Sequence, residues 1–381
     1  MKHARALWLG SVLLLSLPLL ILIATGYSET GKEGIVVAMR FLFSLAGIGD
    51  IHPEHEILKL RLLRALCAAG VGGSLALAGA MTQGLFRNPL AEPGLLGIGS
   101  GASLGAVIAI AMLGGYGPDF WSRTTTTTEP GIFESYYSLG LIPIMAFCGA
   151  LASAFTIYRL ATRSGRISVP MLLLTGLAIN SLLGAMMAGL QVLLLQDWQV
   201  SRAIISWGFG TLDDRSSFHV TVVACGAVLA LISIPFVGLE LDLMSGGEED
   251  AAALGADPAR VKTLVLACVA LATAAAVSVS GQIAFVGLLV PHVTRSIVGP
   301  HHRALLPASF LAGATLLVLV VVLQHAAAPI IAEQFQGAGH LTLANIFTRL
   351  ASLQPGVVTS LMGAPFFLAL LLRQGRRELG A

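Results

Sequence analysis

The chain has 381 residues, 56% of them hydrophobic and only 11% charged, with a formal net charge of +2. An ordinary soluble domain carries roughly 25% charged residues, so this composition cannot clothe a water-facing surface of such size. The near-neutral balance also excludes an extended basic face, and no nucleic-acid partner is expected.

Taken in chain order, apolar runs recur from end to end. A membrane span takes about 20 predominantly apolar residues. Such runs occupy Leu7–Thr25, Leu62–Gln83, Gly94–Leu113, Leu139–Ala161, Met171–Leu195, Phe218–Leu239, Val261–Val279, Ile283–Val298, Leu305–Leu323 and Val357–Leu372. The expected fold class is an all-α polytopic membrane protein of about ten transmembrane helices, forming one domain over 1–381. Ile283–Val298 is short and holds Pro291, His292 and Arg295. The first run follows Lys2 and Arg5, exceeds a signal peptide's apolar core and lacks a closing small-residue cleavage site, so it reads as a retained span. Cys67, Cys148, Cys225 and Cys268 each stand alone in a different run, as packing residues without ligand spacing.

An even number of spans puts both termini on one side. Placing them in the cytoplasm leaves the larger share of Lys and Arg inside, which fixes the expected orientation. Three outer segments are then long, 26–61, 114–138 and 324–355, and read as solvated loops, with an apolar piece at Phe41–Leu45 lying at the interface. The inner segment 240–262 differs. Its Glu248, Glu249, Asp250 and Asp257 run against the inside-positive trend, and Ala251–Leu254 is a helical stretch stopped by Gly255. Acid there implies a structured element with a partner. Small residues at four-residue spacing, such as Gly97, Gly101 and Gly105, let helices approach closely in lipid.

Two soluble-enzyme motifs are imitations. Gly26–Lys32 matches the opening of a phosphate-binding loop, but Glu33 stands where a magnesium-binding Ser or Thr belongs, and an apolar helix precedes it instead of a strand. Gly97–Ala102 copies a dinucleotide fingerprint, yet a membrane stretch follows it.

Three blocks carry more information. The first runs from Arg61-Leu62-Leu63-Arg64 through Gly79–Gln83 to Asn88-Pro89-Leu90-Ala91-Glu92-Pro93-Gly94 and on to Ala102. The second is Gly281–Arg295 with His302-Arg303, and the third is Pro355–Thr359 with Gly363–Phe367. In this order, and covering most of the chain from Arg61 to Arg373, they resemble the FecCD or BtuC-like permease family, which imports ferric siderophores, haem and cobalamin. The resemblance implies a type II ABC importer permease in the cell inner membrane, with both termini cytoplasmic. It implies a homodimer working with two copies of a cytoplasmic ATP-binding subunit and one periplasmic substrate-binding protein. The chain itself would be the passage and not an enzyme, with no cofactor and no resident metal.

Residue roles follow from the same likeness. Arg61 and Arg64 match the family's docking arginines, which pair with carboxylates of the binding protein. The family's third docking arginine, within Asp-x-x-Ala-Arg, has no counterpart here: the stretch reads Val321-Val322-Leu323-Gln324-His325 and continues into an insertion, 326–353. Arg349 or His325 is the expected substitute. Asn88, Leu90, Ser168 and Val169 correspond to cytoplasmic gates. Glu248, Glu249, Ala252, Leu254 and Gly255 correspond to the coupling helix that meets the ATPase.

The cargo is read from the residues. His52, His55, His325 and His340 in outer loops are candidate haem contacts, and Met186 with Met187 would suit a polarizable passage. Haem is the preferred cargo, with a ferric siderophore and then cobalamin as alternatives. Two other function classes make different demands on the sequence. An intramembrane enzyme would use Asp197, His292 or Arg295, and a secondary transporter would need ionisable residues at mid-membrane, where this sequence is almost wholly uncharged.

Overall fold

A computed structural model describes residues 2–26, 34–45, 55–113, 132–163, 166–194, 197–213, 215–337 and 341–379. The candidate contacts His52 and His340 and the threonine run at Thr124–Thr128 lie outside these residues.

The helices in chain order are α1 (Lys2–Gly26), α2 (Gly34–Leu45), α3 (His55–Phe86), a 3₁₀ turn at Pro93–Leu96, α4 (Ile98–Leu113) and α5 (Ile132–Ala161). Two-residue strands β1 (Thr162–Arg163) and β2 (Arg166–Ile167) pair antiparallel before α6 (Val169–Leu194), α7 (Trp198–Gly208) and α8 (Ser217–Met244). Then come α9 (Glu248–Ala253), α10 (Pro258–Ser280), α11 (Val286–Val298) and α12 (His302–Val322). A π turn at Leu323–Ala327, α13 (Ala328–Gly337), α14 (Leu341–Ala351) and α15 (Pro355–Leu379) close the chain.

Eight of the described helices are long and apolar enough to cross a membrane, and two shorter apolar ones, α4 and α11, lie among them. Together they occupy the ten runs read from the sequence. The 32 residues of α3 extend about 48 Å at 1.5 Å each, well beyond a hydrocarbon core of about 30 Å. Its first turns, with His55, Glu56, Lys59, Arg61 and Arg64, therefore project past the apolar slab.

The bundle is organised around α3, which packs against α12, α10, α8 and α11. Buried shares of the apolar stretch separate the spans: 67% for α3 and 72% for α10, against 11% for α6 and 22% for α15. Close approach is what the small residues supply. A Cβ added at Gly79 would collide with the carbonyl of Gly287, so α3 and α11 touch backbone to backbone. Because lipid gives no hydrophobic drive between helices, such contact is a main source of their association.

The 13 residues of α11 span only about 20 Å. It starts inside the bundle, where Gln83 Nε2 of α3 donates to the Leu288 carbonyl at 3.2 Å. Irregular backbone at that depth survives because protein, not lipid, surrounds it. This explains the short run at Ile283–Val298.

One segment differs from its reading as a solvated loop. Gln324–Pro355 holds the π turn and the helical hairpin α13–α14, closed by Phe335 stacked on Phe347 with centroids 5.6 Å apart. Gln324 Nε2 donates to the Leu353 carbonyl at 2.6 Å, tying the π turn to the entry of α15. Likewise 26–61 contains α2 and the first turns of α3.

Candidate functional site

Polar residues concentrate at the two ends of the bundle and at one place between them. At the α9 end, the chain leaves α3 through Arg87, whose φ of 49° is unusual for a side-chain-bearing residue. Asn88 then makes a local turn, its Oδ1 accepting the Leu90 N–H at 2.9 Å, while its carbonyl accepts from Ala91 at 3.1 Å. Asn88 is exposed and Leu90 half-buried.

The β1–β2 hairpin delivers Ser168, exposed, and Val169, half-buried, to the start of α6. Opposite stands α9, entered through Gly247 at φ 138° and left through Gly255 at φ 91°, conformations that suit glycine. Ala251 is fully buried and anchors it, while Glu249, Ala252, Leu254 and Gly255 face outward, Leu254 at 70% exposure.

Between these parts lies a cleft of about 900 Å³ lined by Arg87, Ile167, Ser168, Val169, Glu248, Glu249, Ala252 and Lys262, among others. The structure thus brings Ser168 and Val169 together with the expected coupling residues Glu248, Glu249 and Ala252. Asn88 and Leu90 lie outside its lining. Two partners were not singled out from sequence. Lys262 Nζ is 2.7 Å from Glu248 Oε2, and Asp242 Oδ1 accepts the His302 N–H at 2.8 Å beside its imidazole Nδ1, also at 2.8 Å. Asp242 so closes the N-terminus of α12 from the end of α8, where a negative charge is favoured. A charge at the edge of an apolar run, requiring a partner, was the available signal.

At the opposite end, Arg64 Nη2 lies 3.0 Å from Asp213 Oδ1, and His325 Nε2 lies 3.5 Å from the same oxygen. His325 Nδ1 meets the Val321 carbonyl at 3.2 Å. The loop that presents Asp213 is fixed by Thr211 N–H to the Ser280 carbonyl at 2.7 Å and by the buried Arg215 donating to the Thr211 carbonyl at 3.0 Å. A hydrogen bond from His325, then the charges of Arg64, His325 and Arg215, hold the Asp213 carboxyl below its ordinary range against the opposing effect of burial. Arg61 is half-buried and Arg349, on α14, is exposed. Hairpin helix α14 packs on the π turn that carries His325.

Between the ends, the three sequence blocks meet. Phe285 N–H, at the entry to α11, donates to Glu92 Oε1 at 3.0 Å across 193 residues of chain. Gln282 hydrogen-bonds Ser103. A cavity of about 180 Å³ lies against Leu75, Glu92, Thr273, Gln282 and Gly287. The third block closes on the second, since any side chain at Gly363 would strike the Phe285 ring.

The candidate haem contacts are not gathered. His55 faces Ser44 Oγ at 3.4 Å and packs edge-on to Phe41, whereas His325 is committed to Asp213. Met186 is exposed on α6 and Met187 packs toward the core. Among the described residues no three His, Cys, Asp or Glu side chains form a group able to hold a metal ion. Of the residues weighed for enzymatic chemistry, Asp197 caps α7 through the Val200 N–H, His292 packs on Phe366 and Arg295 reaches the Pro300 carbonyl.

Residues 14–373 match the FecCD transport family. The hemin transport system permease protein HmuU of Yersinia pestis is 34% identical over 375 residues, covering 98% of each chain. The cobalamin import system permease protein BtuC of Halobacterium salinarum is 38% identical over 320 residues, 82% of this chain and 72% of that protein. The iron-uptake system permease protein FeuC of Bacillus subtilis is 32% identical, covering 94% and 96%. A solved metal-chelate type ABC transporter in an inward-facing conformation superposes with a TM-score of 0.70 at 25% identity, covering 96% of this chain and 98% of that one.

Proposed function

The chain belongs to the FecCD transport family, and from that premise we propose that it is the translocating permease of an ATP-driven importer whose cargo is haem. ATP hydrolysis would fall to a separate ATPase bound in two copies, and delivery to a periplasmic binding protein. The α9 end faces the cytoplasm, as the distribution of Lys and Arg favours, and the chain sits in the inner membrane as a homodimer.

The observation that carries this reading is the cleft in which α9 confronts Ser168 and Val169. An importer needs a surface that an external motor can push, placed beside the segments that close its exit. Here both line one space. Asn88 and Leu90 form the second closing segment, following Arg87 on the cleft wall. A passage must release what it binds, and short uncharged side chains at its exit suit weak contact. At the far end, Arg61, Arg64 and Arg349 form the docking surface. Guanidinium groups recognise carboxylates through directional, charge-assisted bonds.

Mechanistically, docking and ATP binding each favour one of two bundle arrangements by their difference in affinity for the two. Hydrolysis resets the balance. Support for haem is the near full-length match to the hemin permease; His55 and His325, which the structure leaves apart, add nothing to it.

Reconstituted in vesicles with its ATPase and binding protein, the chain is expected to accumulate haem only when ATP is supplied, with ferric siderophore and cobalamin as competitors that fail to displace it. Siderophore uptake without haem uptake would replace the cargo; uptake driven by an ion gradient alone would remove the importer.

A further inference from the structure

Importer function requires that movement of α9 reach the exit. One side chain reaches both. Lys262, in the first turns of α10, is only 4% exposed. Its ammonium reaches Glu248 Oε2 on α9 at 2.7 Å and the Ile167 carbonyl on β2 at 2.9 Å, one residue before Ser168. Two of its three donors are thus committed to two different moving parts.

Burial makes both partners matter. A lysine ammonium withdrawn from water is costly unless paired, and losing one partner leaves charge uncompensated. The root of the side chain is fixed, because α10 is the most covered span. Its four-carbon stem is flexible, so the head can follow Glu248 while the root stays in place. Other charged groups around the cleft are Arg87, Glu249 and Asp257. Asp257 is occupied with capping α10 through the Ala259 and Arg260 N–H groups, and the Arg87 guanidinium lies over Gly247.

We propose that Lys262 is the positioning residue that links α9 to the gate segment Ile167–Val169, so that displacement of α9 by its partner is carried to the exit through the shared ammonium. The link rests on the importer reading for its purpose, but its mechanical content can be tested without it.

The first arm uses the purified chain alone in nanodiscs. Spin labels are placed by Ser168→Cys and Ala252→Cys, both exposed positions. Cys148→Ala and Cys225→Ala remove the exposed native thiols. A narrow label distance in the otherwise native chain should broaden in Lys262→Met and stay narrow in Lys262→Arg, which keeps charge and donors. An unchanged distribution in Lys262→Met overturns the proposal. Should that variant not fold, Glu248→Gln removes the same ion pair from a side chain 43% exposed, and the same two outcomes decide.

The second arm measures cargo moved per ATP hydrolysed in the full complex. Lys262→Met should lower that ratio by about tenfold, within the span of ordinary coupling between sites, with Lys262→Arg restoring most of it. A proportional fall in transport and hydrolysis would mean a merely structural lysine. If the native chain shows no ATP-driven uptake at all, the importer reading fails, while the label pair still decides the link.

Discussion

Asp213 shows how one carboxylate can organise an end of the bundle. It faces Arg64 and His325 directly, with Arg215 in the same loop. The hydrogen bond from His325 is the largest influence on its titration, and the net effect is a lowered pKa. A carboxyl depressed on folding contributes stability that is whole above its unfolded value and disappears as the pH falls through the folded one. The thermal midpoint of the native chain should therefore exceed that of Asp213→Asn near neutrality. The difference should close as acid is added below the ordinary aspartate value of about 3.9. A gap that persists unchanged into strong acid would show that the charge of Asp213 stabilises nothing. None of this pairing was readable in the sequence, because ion pairs between segments far apart in the chain leave no local pattern. Arg64 reads in the sequence as a docking arginine for a partner's carboxylate; the Asp213 carboxylate of its own chain beside it is visible only in three dimensions.

Helices were the legible part. A span is a run of about 20 apolar residues whatever it packs against, so composition alone located all ten. The helical stretch of α9 was legible too, with Gly255 marking its stop, whereas the two-residue strands β1 and β2 ahead of Ser168 were not. What failed was 324–355, where α13 and α14 alternate apolar and polar residues over short lengths that resemble loop sequence until Phe335 meets Phe347. Relative placement of elements was also hidden: the glycines announced close packing but not their opposite numbers. Gly79 and Gly287 are the decisive pair, because backbone opposes backbone and no side chain can yield. Overpacking commonly costs about 1–3 kcal/mol where neighbours can shift. Gly79→Leu should meet or exceed the top of that range in a detergent unfolding titration, whereas Gly10→Leu, with open space around it, should cost little. Equal midpoints for the two variants would contradict the contact between α3 and α11.

At the scale of the molecule, coverage of the spans is uneven. α3 and α10 are enclosed, yet α6 keeps only 11% of its apolar stretch buried and α15 only 22%. α6 also has Gly184 and Gly189 with nothing near them, beside exposed Leu182, Leu193 and Met186. Lipid can cover leucines, but exposed glycines on a span gain most from a second helix drawn close. On the proposed homodimer reading, α6 is the expected surface for the second copy, with the passage beside it and Met186 on that surface. Native mass measurement in nanodiscs should find a two-copy particle. Gly184→Trp should shift it toward one copy while leaving the unfolding midpoint of the monomer intact, since the position is open within the chain. If the tryptophan leaves the two-copy particle undisturbed, α6 faces lipid and the passage must be lined by other spans.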